Sequence, residues 1–167
     1  MRIVGVSRSA IVALSVVLVL SALPVRAGGP YQYHSITPCR LADTRNANGP
    51  TGGPILIGQA AARTFPVQNT CLVPIGAAAV SINVTAVGPN GPGFLTLYPT
   101  GGTMPVVSNL NFVAGEPALA NGAIAPLGTY SATAPYDLSV YARVVGPGAG
   151  ESGGTVDVVL DVTGYFQ

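Results

Sequence analysis

The sequence predicts an all-β fold, an antiparallel two-sheet β-sandwich, and three observations carry that expectation. Apolar and polar residues alternate with a period of two in several segments. Glycine and proline, 22 and 15 residues, punctuate the chain between those segments. Beyond residue 27 no stretch repeats its apolar residues at helical spacing. With 49% apolar residues the chain is also too hydrophobic to remain disordered.

The clearest strand covers residues 80–87, where Val80, Ile82, Val84 and Ala86 share one face and Ser81, Asn83 and Thr85 the other. A Gly-Pro-rich turn at 88–93 leads, as a hairpin-type connection, to a second strand at 94–98. A third strand is expected at 106–112, with Leu110 and Phe112 opposite Asn109 and Asn111, and a fourth at 138–145. A loop at 146–150 then precedes a long last strand, Thr155–Phe166, bent near Gly164. Shorter candidates lie at 31–36, 63–67 and 118–125, so the total is about eight strands at sandwich-like spacing. A jelly roll is one form of such a sandwich, and a small closed barrel is the second architecture.

Residues 1–27 read as an export signal. Arg2 and Arg8 precede an apolar run from Ile11 to Leu23, and Val25 and Ala27 place small residues before a cleavage point. A membrane span needs about 20 apolar residues, and this run stops at Pro24 and Arg26. The expected product is a secreted single domain, residues 28–167, with no membrane attachment after cleavage. It keeps four arginines against six acids, a net charge of −2, and has no lysine. Nucleic acid is excluded as a partner, because phosphate backbones are held by clustered cations.

Cys39 and Cys71 form an even pair in an exported chain, so a disulfide is the default reading. Closing that loop stabilises the fold by about 3–4 kcal/mol in the chain-entropy model. A metal site would need more ligands than these cysteines and His34, the single histidine, supply. No metal or other cofactor is expected.

The tract PCRLADTR at residues 38–45 gathers a cysteine, two arginines and an aspartate in a chain with little charge. With it go NVTAV at 83–87, GFLTLYP at 93–99, SNLNF at 108–112, the Asn121 region and VDVVLDVTGYF at 156–166. In these motifs, and in their order, the chain resembles the PCRLADTR-motif family of secreted bacterial β domains. The resemblance implies an exported β domain, found alone or beside other modules, with no established catalytic activity.

Arg40, Asp43 and Arg45 are expected to form a structural ion pair beside the cysteine bridge, in preference to an anion clamp. Asp157 and Asp161 share one face of the last strand about 13 Å apart, too far for the paired acids of a glycosidase. Each is expected to be solvated or paired with an arginine, Arg143 and Arg63 being the unassigned candidates, and Asp137 or Glu151 would have to complete any calcium site. Asn83, Asn109 and Asn111, with Tyr98 and Tyr141, make a candidate binding or assembly face. Amides suit sugar hydroxyls or a neighbouring backbone, and tyrosine rings can stack on glycans, although the chain has no Trp. The competing reading of the asparagines is an internal ladder that caps turns and pins register.

Serine- or cysteine-based hydrolysis would depend on His34 alone, so no enzyme is expected. The leading function is a secreted non-catalytic structural or interaction module: an extracellular matrix, adhesion or self-assembly component. Its partners would be further copies of itself, an extracellular glycan or a surface protein. A glycan-binding module is the alternative, and a carboxylate-based hydrolase the remote one.

Overall fold

The computed structural model describes residues 30–146 and 153–167. The signal reading at 1–27, most of the 146–150 loop and Glu151 lie outside them. The described residues form nine strands and no helix: β1 (Tyr33–Asp43), β2 (Leu56–Ile57), β3 (Arg63–Phe65), β4 (Ala79–Val87), β5 (Gly93–Pro99), β6 (Leu110–Phe112), β7 (Ala118–Pro126), β8 (Leu138–Val144) and β9 (Thr155–Phe166).

One sheet runs β1-β9-β4-β7, with β2 also on β9, and the other runs β3-β8-β5-β6. Every strand pair is antiparallel. Apart from β2, the pairs β1/β9, β3/β8, β4/β7 and β5/β6 nest as if one long hairpin had been rolled into two layers. That nesting is the jelly-roll form of the sandwich.

The core lies between the layers. Val80, Ile82, Val84 and Ala86 of β4 and Val156, Val158, Leu160 and Val162 of β9 meet Leu95, Leu138, Val140 and Val144 of the other sheet. Alternation places these aliphatics inward because a strand's successive side chains point to opposite faces. The bend near Gly164 is a bulge: Ser81 pairs with Gly164 but Ile82 with Val162, leaving Thr163 as the extra residue. Tyr33 packs over Gly164, where a Cβ would come within 2.4 Å of its ring.

Three expectations need correction. The strand expected at 106–112 is only Leu110–Phe112, because the Asn109 side-chain oxygen takes the Leu97 amide at 2.7 Å in place of a main-chain partner. Val106 and Val107 are left in solvent. The strand expected at 31–36 instead reaches Asp43, and the register shift between Ser35 and Cys39 accommodates Pro38, which has no N–H for the ladder. The turn at 88–93 does not close a hairpin, because β4 pairs with β7 and β9 and β5 belongs to the other sheet; the two-residue β2 was not anticipated.

Cys39 and Cys71 are bonded, with their Cα atoms 5.6 Å apart. The bridge joins β1 of one sheet to the connection that leaves β3 of the other. An intramolecular disulfide fits an oxidising compartment. No helix among the described residues is long and apolar enough to cross a membrane.

Candidate interaction surfaces

The flank where β1 and β3 lie is charged and tightly bonded. Arg40 grips Asp161 with both ends of its guanidinium, Nε to Oδ1 at 2.8 Å and Nη2 to Oδ2 at 3.1 Å. Its Nη1 lies 3.5 Å from Asp43. Asp43 is buried, and Arg45 donates to both of its oxygens, at 2.8 and 2.6 Å. Between these pairs the Thr44 hydroxyl donates to Asp157 at 2.6 Å and accepts the Val158 amide at 2.8 Å. The acids of β9 therefore find Arg40 and Thr44, and the expected pairings with Arg143 and Arg63 do not form. The tract stitches β1 to β9 from its outer side.

Hydrogen bonding from Arg45, outweighing the opposing effect of burial, lowers the Asp43 pKa from its ordinary 3.8 to about 2. A carboxylate whose pKa is depressed by folding stabilises the fold above its unfolded pKa and loses that contribution as pH falls through the folded one. Full conversion would give about 2.4 kcal/mol, but Arg45 is half exposed, so roughly 1–2 kcal/mol remains after solvent screening. Arg45→Gln is expected to lower unfolding free energy by that amount at pH 7, with the gap to the parent closing between about pH 4 and pH 2. Denaturation of both proteins across that range checks it; a gap independent of pH would exclude the pair as its cause.

Arg63 serves a different purpose. Its guanidinium donates to the carbonyls of Gly49, Gly52, Gly53 and Pro54 and lies 4.9 Å from the centre of the Phe65 ring. Burial pulls its pKa below the ordinary arginine value. It gathers a loop whose tight turn requires Gly52, where a Cβ would strike the Ala47 carbonyl oxygen at 2.0 Å.

Asp137, considered above as a calcium ligand, is fully buried and points into the protein. Its two oxygens accept the Val67 and Gln68 amides, each at 2.8 Å. The sequence offered one faint sign of this: Asp137 is the only charge between Glu116 and Arg143.

The face proposed from Asn83, Asn109, Asn111, Tyr98 and Tyr141 is divided between the two sheets. Asn83 lies on the outer side of β4, 3.5 Å from the Thr85 hydroxyl. Asn109 is consumed internally: besides its side chain holding Leu97, its main-chain carbonyl accepts the Asn121 side-chain Nδ2 of β7 at 2.7 Å, a bond that spans the sheets. Asn111, Tyr98 and Tyr141 do share a surface, the outer side of β5, β6 and β8, and Phe94 joins them. Phe94 and Tyr141 stand 6.3 Å apart and tilted at 49°.

The opposite flank, formed by β6 and β7, contrasts with the charged one. From Arg63 to Arg143 the chain carries only two charges, Glu116 and the buried Asp137. β7 ends its sheet, pairs only with β4, and does so without a bulge. Exposed apolar side chains sit in or beside these edge strands: Val106, Val107, Val113 and Ile124, the last 64% exposed. Three shallow recesses open elsewhere, and none is lined by an Asp or Glu. No family model, curated protein or solved structure matches this chain.

Proposed function

We propose that the protein is an exported, non-catalytic structural module that assembles with copies of itself through the β6–β7 flank. Export rests on the signal pattern at residues 1–27 and accords with the disulfide. Assembly rests on the β7 edge. Nine residues long, it is uncharged, unbulged and free of proline until Pro126.

Sheet edges are ordinarily guarded by lysine, by internal proline, by bulges or by a covering segment. β7 has none of these along its length, and the chain has no lysine at all. An unguarded edge favours the addition of a further strand. A second copy suits it because two identical edges pair antiparallel about a two-fold axis, each meeting the same surface. Like charges directly opposite one another destabilise such a pairing, and β7 carries none. The resulting sheet would run continuously through both copies, a geometry fit for a matrix or an adhesive layer.

Light scattering of the oxidised protein over a wide concentration range tests this, alongside Ile124→Lys. The side chain of Ile124 is exposed, so the substitution should change stability by less than about 0.5 kcal/mol. The parent is expected to gain mass with concentration, the variant to remain monomeric, and parental β7 amides to exchange more slowly in the assembled form. A parent that remains monomeric throughout would refute the assembly.

A further inference from the structure

We infer that the outer face of the β3-β8-β5-β6 sheet is a binding platform for an acidic polysaccharide, one whose sugar units carry carboxylates. This goes beyond self-assembly, which uses the flank and not the face. The register places Arg143, Phe94 and Asn111 in one row across β8, β5 and β6. Strand spacing sets the row's ends about 10 Å apart. In the next row Tyr141 stands opposite Thr96, and in the one after it Tyr98 stands opposite Ser139. Tyr141 therefore lies one strand over and midway along the strand between Phe94 and Tyr98, which makes a triangle of rings around Thr96.

Thr96 belongs to this outer face, yet it is 1% exposed. Its hydroxyl is turned to the Val107 carbonyl at 3.0 Å. The middle of the face is thus filled. What remains available are the half-buried rings of Phe94, Tyr98 and Tyr141, bordered by the exposed Arg143 and Asn111. Aromatic rings present flat apolar area, and tyrosine adds a hydroxyl for the polar rim of a sugar. Neither Tyr98 nor Tyr141 uses that hydroxyl in a hydrogen bond among the described residues. The Asn111 side-chain oxygen is taken by Ser108 at 3.0 Å, which leaves its Nδ2 to donate outward.

Arg143 sets the ligand's charge. Of the four arginines among the described residues, Arg40 is committed to Asp161, Arg45 to Asp43 and Arg63 to loop carbonyls. Arg143 alone makes no hydrogen bond or ion pair among those residues. An arginine fork matches a carboxylate with two parallel hydrogen bonds. Among the described residues the acids lie off this face: Asp43, Asp157 and Asp161 on the other sheet, Asp137 in the interior and Glu116 in the connection from β6 to β7. A cation without a partner among the described residues, set beside rings, suits a sugar carboxylate, whereas a nucleic acid would require a cluster of cations.

Affinity electrophoresis of the oxidised protein through polygalacturonate, and through the same polymer methyl-esterified, tests the inference. The parent should be retarded by the acid form and at least about tenfold less by the ester, the loss expected for one charge-assisted contact. Arg143→Gln, an exposed substitution, should bring retardation by the acid form down to the ester's level while the melting temperature stays at the parental value. Phe94→Ala should weaken binding to both polymers. Equal retardation by acid and ester, retardation by the acid form that survives Arg143→Gln, or none with either polymer would each overturn the proposal. Repeating the series with Ile124→Lys separates binding from assembly: a monomer that still discriminates acid from ester uses the face alone.

Discussion

Opening the Cys39–Cys71 bridge is expected to destabilise the oxidised fold by about 3.7 kcal/mol, the loop-closure entropy of a 32-residue separation in the chain-entropy model. For a domain of this length the melting temperature falls by roughly 10–15 °C. Position adds to the effect. The bridge fastens β1 to the connection after β3, so it closes the two layers at the flank opposite the β6–β7 opening. The connection also holds Asn69, Cys71 and Leu72 in the left-handed region, at φ of 64°, 48° and 61°. Each such residue costs about 1–2 kcal/mol relative to the right-handed form, and only surrounding structure keeps it there. Turn bonds contribute, with Thr70 donating to Val67 and Val73 to Thr70, but the covalent tie holds the strained cysteine itself. Urea denaturation of the parent, Cys39→Ala/Cys71→Ala and Cys39→Ala/Cys71→Gly measures both parts. The alanine pair should lose the full amount. The glycine pair should recover about 1 kcal/mol, because glycine enters the left-handed region without a steric penalty. An alanine pair as stable as the parent would remove the bridge from the account of this fold.

Legibility in the sequence followed the strength of local alternation. β4 carries four inward aliphatics separated by polar residues and β9 four separated by Asp157, Val159 and Asp161, and their bounds were readable almost to the residue. β8 was readable for the same reason. Where a side chain takes over the work of the main chain, alternation misleads. Val106 and Val107 have the composition of a strand, yet the Asn109 amide ends the pairing before them. Pro38 interrupts the pattern of β1 without ending the strand, because a register shift absorbs it. The sites were less legible than the elements. Arg40 and Asp161 are 121 residues apart, and nothing local predicts which arginine a β9 acid meets. The sequence puts Asn83 and Asn109 on the polar sides of their strands, but it does not say that those strands belong to different sheets. It likewise puts Phe94 and Tyr98 on one side of β5, while the register that brings Tyr141 and Arg143 beside them is a property of the assembled sheet. The charge-free span between Arg63 and Glu116 was visible from the start. Its meaning depended on learning that β6 and β7 end their sheets on the same flank.

Replacing Asp137 with alanine is expected to cost about 3–5 kcal/mol, comparable to or larger than the loss of the disulfide. The carboxylate is fully buried, and the amides of Val67 and Gln68 donate to its two oxygens. Both amides belong to the chain just beyond β3, so the side chain extends the β3–β8 pairing past the last ladder residue, Phe65. The main chain of Asp137 multiplies the effect, since its carbonyl accepts the Thr100 and Gly128 amides and its own amide donates to Phe65. Gln68 continues the network, donating to the Gly128 carbonyl and accepting the Gly76 amide. Alanine would strand two buried N–H groups at about 1–3 kcal/mol each. Asparagine keeps one acceptor but sets its NH2 against the other amide, so Asp137→Asn should fall between the parent and alanine. Hydrogen exchange distinguishes a local role from a global one: the Val67 and Gln68 amides should lose protection in both variants before β4 and β9 do. The same network orders the connection that carries Cys71, so Asp137→Ala and the opened disulfide should be less than additive when combined. Strict additivity would mean that the carboxylate and the bridge hold separate parts of the sandwich.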